Sequence, residues 1–140
     1  MIEVDAKTTN TTALAYLGDA VYEVYVRTHV LEEGMAHVDR LNRKAIRLVC
    51  ADGQAVAARQ LMEGFLTDEE TRLLKRGRNH TQTGHPRGTR PIDYKLATGF
   101  EALIGYLYLA GKQDRLREII AEAIRIIERS EESKSEKERT

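Results

Sequence analysis

The sequence predicts an all-α fold, and three observations predict it. Apolar residues recur at three- and four-residue steps along most of the chain, from Leu14 to Ile127. Proline occurs twice and tryptophan not at all, with six Tyr and two Phe, whereas a β-sandwich or barrel draws on more aromatic, β-branched and turn residues. The 140 residues are 41% apolar, enough for one core and about one domain.

Each element follows in order. Residues 1–10 are polar and read as a flexible N-terminal arm, and Thr11 and Thr12 are candidate N-caps. From Ala13 to Leu31, the spacing of Leu14, Leu17, Val21, Val24 and Leu31 predicts a helix with one buried stripe, and Gly34 lies just past its end. Val38, Leu41, Ala45, Leu48 and Val49 continue the helical spacing, with a break or kink expected at Asp52-Gly53. Val56, Leu61, Met62 and Phe65 mark a further helix, and Thr67 to Glu70 forms a Thr-x-x-Glu capping box that opens a short helix to about Arg78. Residues 79–91 contain no aliphatic side chain, and a loop this long is more often functional than a plain connector. From Asp93, the positions Tyr94, Leu96, Ala97, Phe100, Leu103, Ile104, Leu107 and Tyr108 predict a strongly apolar, central helix broken by Gly111. Leu116, Ile119, Ile120, Ala123, Ile126 and Ile127 predict the last amphipathic helix. Residues 129–140 offer nothing to bury and are expected to form a disordered charged tail. The folded domain is therefore placed at residues 11–128.

Composition excludes several classes. The single cysteine, Cys50, rules out an internal disulfide framework or a Cys-based zinc cluster within one chain, and is expected as a small buried hydrophobe. The acidic start has no apolar h-region, and the longest apolar uncharged stretch, Ala102 to Gly111, is far short of the roughly 20 residues a bilayer span needs. A cytoplasmic protein without a membrane partner is expected. His80 and His85 have no zinc spacing, and the glycines of residues 77–88 form no P-loop.

The formal net charge is zero, but charge is segregated. Residues 72–95 carry seven Lys/Arg against one Asp/Glu, whereas residues 1–71 carry seven against twelve. Lys75, Arg76, Arg78, Arg87, Arg90 and Lys95, with Asn79 and His80, therefore form a candidate phosphate-binding segment around the aliphatic-free loop. Thr81, Gln82 and His85 could add polar contacts. A solvated basic loop is the alternative. No aromatic lies between residues 66 and 93, which argues against base stacking on single strands.

Two carboxylates stand out. Asp19 is flanked by small and apolar residues in a helix interior, where Asp is a poor helix former, and Glu101 sits alone in an apolar run. Two such groups meeting across a helix interface would repel unless a cation lay between them, and hard oxygen ligands suit magnesium or manganese. The alternative is that each faces solvent. Glu23, one turn after Asp19, reads as a surface Glu, with an outer role at the metal as the alternative.

The stretch Leu14-Ala15-Tyr16-Leu17-Gly18-Asp19-Ala20-Val21 resembles the ribonuclease III signature, Leu-Glu-Phe-Leu-Gly-Asp-Ala-Val. Phe100-Glu101-Ala102-Leu103-Ile104-Gly105 resembles that family's second motif, with its Glu-Ala-Leu-Ile-Gly core, in the right order and at a compatible separation. The resemblance spans roughly residues 11–128, and a form without a double-stranded-RNA-binding domain is expected. With Tyr22-Glu23-Val24-Tyr25-Val26-Arg27 and Arg76-Gly77-Arg78-Asn79, the chain is most similar to the Mini-ribonuclease III branch. Two positions depart from the larger family: Ala15 replaces the signature Glu, and Thr98 replaces the Asp three residues before the second-motif Glu. Four carboxylates are thereby reduced to Asp19 and Glu101.

The resemblance implies a homodimeric, Mg²⁺-dependent endoribonuclease on double-stranded RNA, with Asp19 and Glu101 as metal ligands and catalytic residues. It implies 5′-phosphate and 3′-hydroxyl ends, and maturation of large-subunit (23S) ribosomal RNA precursor with a large-subunit ribosomal protein as a further partner. Tyr16 stands at the signature's Phe position, which in ribonuclease III plugs a pocket on the partner subunit; core packing is the alternative. A non-catalytic double-stranded-RNA-binding module, or a helical adaptor with no RNA role, are the rival functions.

Overall fold

A computed structural model describes residues 3–34, 37–81 and 87–139. Within them the chain forms six α-helices and no strand: α1 (Thr11–Glu32), α2 (Val38–Val49), α3 (Ala51–Leu61), α4 (Asp68–Asn79), α5 (Pro91–Leu109) and α6 (Gln113–Arg139). As the hydropathy pattern predicts, α5 is central and packs against α1, α3, α4 and α6. Its buried run includes Leu96, Phe100, Leu103, Ile104 and Leu107. Phe100 meets the buried ring of Tyr22 from α1 edge-on, with centroids 5.1 Å apart at 87°, a favoured aromatic geometry. No described helix is long and apolar enough to cross a membrane.

Helix ends follow local chemistry. The cap of α1 is Asn10 rather than Thr11 or Thr12: its Oδ1 accepts from the backbone N–H groups of Thr12 (2.9 Å) and Ala13 (3.1 Å), leaving Thr11 buried in the first turn. The Thr67–Glu70 capping box forms in both directions, at 2.9 and 3.1 Å. Glu70 also takes two hydrogen bonds from Arg115 of α6, at 2.9 and 2.8 Å, so one side chain closes a helix start and ties it to the last helix. Pro91 occupies the first turn of α5, where its missing N–H costs nothing.

Four further expectations are corrected. The break between α2 and α3 falls at Cys50, not Asp52-Gly53. Gly53 lies inside α3 because the helix passes so close to α2 that a Cβ there would sit 2.7 Å from the Arg47 carbonyl oxygen. Cys50 is exposed at this junction, its thiol 3.4 Å from the Arg47 carbonyl. On α1, Leu14 and Val21 are buried as expected, but Val24 and Leu31 are 65% and 61% exposed; the inward face is completed by Gly18, Tyr22, Val26 and Val30.

The fourth concerns residues 129–139, which continue α6 instead of forming a disordered tail. Glu, Lys and Arg favour the helix, and charge adds to it. A cleft of about 500 Å³ between α2 and α6 has Arg40, Arg43, Lys44 and Arg47 on one wall and Glu128, Glu131 and Glu132 on the other, while Lys134 pairs with Glu131 one turn back.

Candidate active site

The α1–α5 crossing builds the site, and glycine makes the crossing possible. A Cβ on Gly18 would lie 1.7 Å from the Glu101 carbonyl oxygen, and one on Gly105 would lie 2.0 Å from the Leu14 carbonyl oxygen. The two backbones therefore touch where Asp19 follows Gly18 and where Glu101 stands one turn before Gly105. This contact turns two motifs 82 positions apart into a pair of neighbouring carboxylates.

Their electrostatics record the proximity. Burial, then the charge of Asp19 and a hydrogen bond shared with it, push the Glu101 carboxyl up to about 8. Asp19 is exposed and Glu101 is half-buried, so the pair opens onto the protein surface. Two hard oxygen donors with no cationic side chain paired to either among the described residues fit a divalent cation. A second carboxylate group is different in kind. His29, Glu33 and Glu128 lie close enough to share an ion, but Lys44 already pairs with Glu33 and lies 3.5 Å from Glu128. That group is a network joining α1, α2 and α6.

Two residues that the sequence does not single out as site residues lie beside the pair. Tyr22, one turn beyond Asp19, is fully buried and donates its hydroxyl to the Leu48 carbonyl oxygen at 2.8 Å. Burial foremost, with Cys50 and Glu101 adding to it, keeps its phenol neutral. Gln54 of α3 is 2% exposed, donates from Nε2 to the Val49 carbonyl oxygen at 2.9 Å, and faces Glu101. The only signal for Gln54 in the sequence was a polar residue in a small, apolar helix. Glu23, by contrast, lies 3.4 Å from Arg27. Ala15 is buried and the Thr98 hydroxyl bonds the Tyr94 carbonyl, so neither departed position leaves a polar group at the crossing without a partner.

The basic segment divides. Lys75, Arg87, Arg90 and Lys95 are exposed and form no ion pair among the described residues. Arg78 bonds the neighbouring Asn79 side chain. Arg76 instead donates to the Thr9 carbonyl oxygen at 2.8 Å, strapping the N-terminal segment to α4, and His80 contacts the Arg76 carbonyl at 2.7 Å. Gly77 and Gly99 let α4 approach α5 closely, and a Cβ on Gly99 would lie 3.3 Å from that of Arg78. This puts the end of α4 at the level of Glu101 along α5. Gln82 and His85 lie outside the described residues. Tyr16 is 85% exposed, which removes core packing as its role. With Val24 and Leu31 it gives α1 an outward apolar face.

Residues 12–112 match the ribonuclease III domain family. The chain is 48% identical to the Mini-ribonuclease 3 of Symbiobacterium thermophilum over 118 residues, covering 84% of this chain and 90% of that one. It is 44% identical to the Mini-ribonuclease 3 of Brevibacillus brevis over 124 residues, covering 89% and 92%. An X-ray crystal structure of a Fusobacterium nucleatum protein superposes with a TM-score of 0.77 at 30% identity, covering 86% of this chain and 96% of that one. Enzymes of this family are generally dependent on divalent metal and act on double-stranded RNA. With its two motifs joined at one helix crossing, the chain belongs to the ribonuclease III family, as an endoribonuclease of the Mini-ribonuclease III branch.

Proposed function

We propose that this chain is a Mg²⁺-dependent endoribonuclease that cuts both strands of double-stranded RNA as a homodimer, with Asp19 and Glu101 as catalytic metal ligands. The observation that carries the reading is the pairing of these two carboxylates at the Gly18–Gly105 crossing. Bound there, Mg²⁺ (or Mn²⁺) would supply charge stabilisation at the scissile phosphate and a more acidic water for in-line attack, giving 5′-phosphate and 3′-hydroxyl ends. The chain's own part is to hold both carboxylates adjacent on an open face, where a bound cation would draw Glu101 into its ionised form. A surface-open pair suits a substrate as large as a duplex.

Lys75, Arg78, Asn79, His80, Arg87, Arg90 and Lys95 supply the RNA contacts, since duplex RNA is read mainly through backbone, 2′-hydroxyls and shape. Arg76 stays with Thr9, and any RNA contact it makes is secondary. One chain supplies one carboxylate pair, so two strands call for two chains, and the exposed Tyr16, Val24 and Leu31 of α1 provide an apolar face for the second copy. The cellular substrate is precursor of large-subunit ribosomal RNA in the cytoplasm, with a large-subunit ribosomal protein as partner.

The test is a duplex-RNA cleavage assay on the species that sediments as two chains, in Mg²⁺ and in chelator. Cutting is expected in Mg²⁺ only. Binding without cutting would make the chain a non-catalytic module, and a monomer that makes paired cuts would overturn the two-centre arrangement. In the same assay, neutralising Lys75, Arg78, Arg87 and Arg90 together should weaken binding. It should also flatten the slope of log affinity against log salt by roughly 0.9 per lost phosphate contact, taking the duplex-DNA coefficient. Unchanged affinity and slope would make the segment a solvated connector.

A further inference from the structure

Gln54 sits where a purely structural role leaves one atom unexplained. Its Nε2 donates to the Val49 carbonyl oxygen at 2.9 Å, and the same amide lies beside the Glu101 carboxyl. Turning the amide over would set Oε1 against the Val49 carbonyl oxygen, acceptor to acceptor. The orientation is therefore fixed, and Oε1 is left as a buried side-chain atom with no hydrogen-bond partner among the described residues.

Buried acceptors are nearly always satisfied, and among the described residues the nearby polar side chains are already committed. The Tyr22 hydroxyl is committed to Leu48 at 2.8 Å. The Cys50 thiol is turned to the Arg47 carbonyl. With a cation bound, Asp19 and Glu101 both serve as ionised ligands and have no hydrogen to give. The donor must come from outside the chain, at a point adjoining a carboxylate pair suited to a hard cation. Mg²⁺ keeps several of its waters when bound to protein, and each offers polarised O–H groups.

We infer that Gln54 is the positioning residue of this site: its amide steadies the Glu101 carboxylate, and its Oε1 accepts a hydrogen bond from the water shell of the cation held by Asp19 and Glu101. This rests on the metal-site reading above and adds to it a side chain on a third helix, so that α3 sets the orientation of a ligand carried by α5.

The test uses Gln54→Met, which keeps the volume and removes both polar functions, with Mn²⁺ binding to the RNA-free protein measured by calorimetry. Mn²⁺ affinity is expected to fall roughly 10–100-fold, the usual cost of losing a group that orients a metal ligand. The rise in melting temperature on adding Mn²⁺ should shrink with it. Unchanged Mn²⁺ affinity in folded Gln54→Met protein would overturn the inference, even if its metal-free melting temperature fell, because that is the signature of packing alone. A second readout needs no substitution at Gln54. On Mg²⁺ titration the Gln54 side-chain amide resonances should move in the wild-type protein and stay in place in Asp19→Asn; resonances that do not move in the wild type would overturn it too. Wild-type protein that binds Mn²⁺ no better than Asp19→Asn would be a different failure, removing the metal site itself.

Discussion

Asp19→Asn and Glu101→Gln each should lower duplex-RNA cleavage at saturating substrate by a hundredfold or more, on the order of 3 kcal/mol or above in the barrier. Each substitution keeps the shape of the side chain and removes one negative oxygen ligand from a pair that has no other carboxylate to replace it. The fold should survive, and the direction of the stability change at Glu101 distinguishes a lost ligand from a damaged core. The Glu101 carboxyl ordinarily titrates near 4.5 and is raised to about 8 in the folded chain. Between those values the folded state holds a proton that the unfolded state lacks. The stability this group contributes is therefore fully present below 4.5 and is lost as pH rises through 8. Above that, the metal-free wild type carries a half-buried ionised carboxylate and Glu101→Gln does not. Chemical denaturation in chelator at pH 9 should find Glu101→Gln more stable than wild type, with the gap closing toward acid pH. Cleavage within tenfold of wild type in either variant, at equal Mg²⁺, would remove both residues from the catalytic site.

Gly18→Ala and Gly105→Ala should each cost well over about 3 kcal/mol or abolish folding. The new methyl group would meet backbone, not a flexible side chain: the Glu101 carbonyl at 1.7 Å in one case and the Leu14 carbonyl at 2.0 Å in the other. Relief requires α1 and α5 to move apart, which unpacks the central helix and separates Asp19 from Glu101. Gly34 provides the contrast. It has a φ of +82° and nothing within 4 Å of an added Cβ, so Gly34→Ala should cost only about 1–2 kcal/mol of local conformational strain. Denaturant midpoints for the three variants check this directly. A Gly18→Ala protein as stable as Gly34→Ala would mean that the two helices cross with room to spare.

Local rules were legible in the residues themselves. The Thr67–Glu70 box, the glycine after α1, the apolar period of α5 and the two isolated carboxylates all depend on neighbours within about one turn, and sequence carries that information directly. The same rules erred where a partner lies far along the chain. Val24 and Leu31 fit a buried period, but the inward face of α1 is set by where α5 presses on Gly18, and that rotates them outward. Gly53 looked like a break because its role, close approach to the Arg47 carbonyl, belongs to packing between helices. The charged tail looked disordered because its countercharges stand on α2, some ninety residues earlier. Gln54 was invisible as a site residue for the same reason: a lone glutamine has no local signature, and only the packing of α3 beneath the α1–α5 crossing brings its amide to Glu101. Residue pattern alone specified most of the helices and the identity of the two carboxylates. Tertiary structure decided which faces meet, because periodicity specifies a buried side for each helix but not the neighbour that covers it.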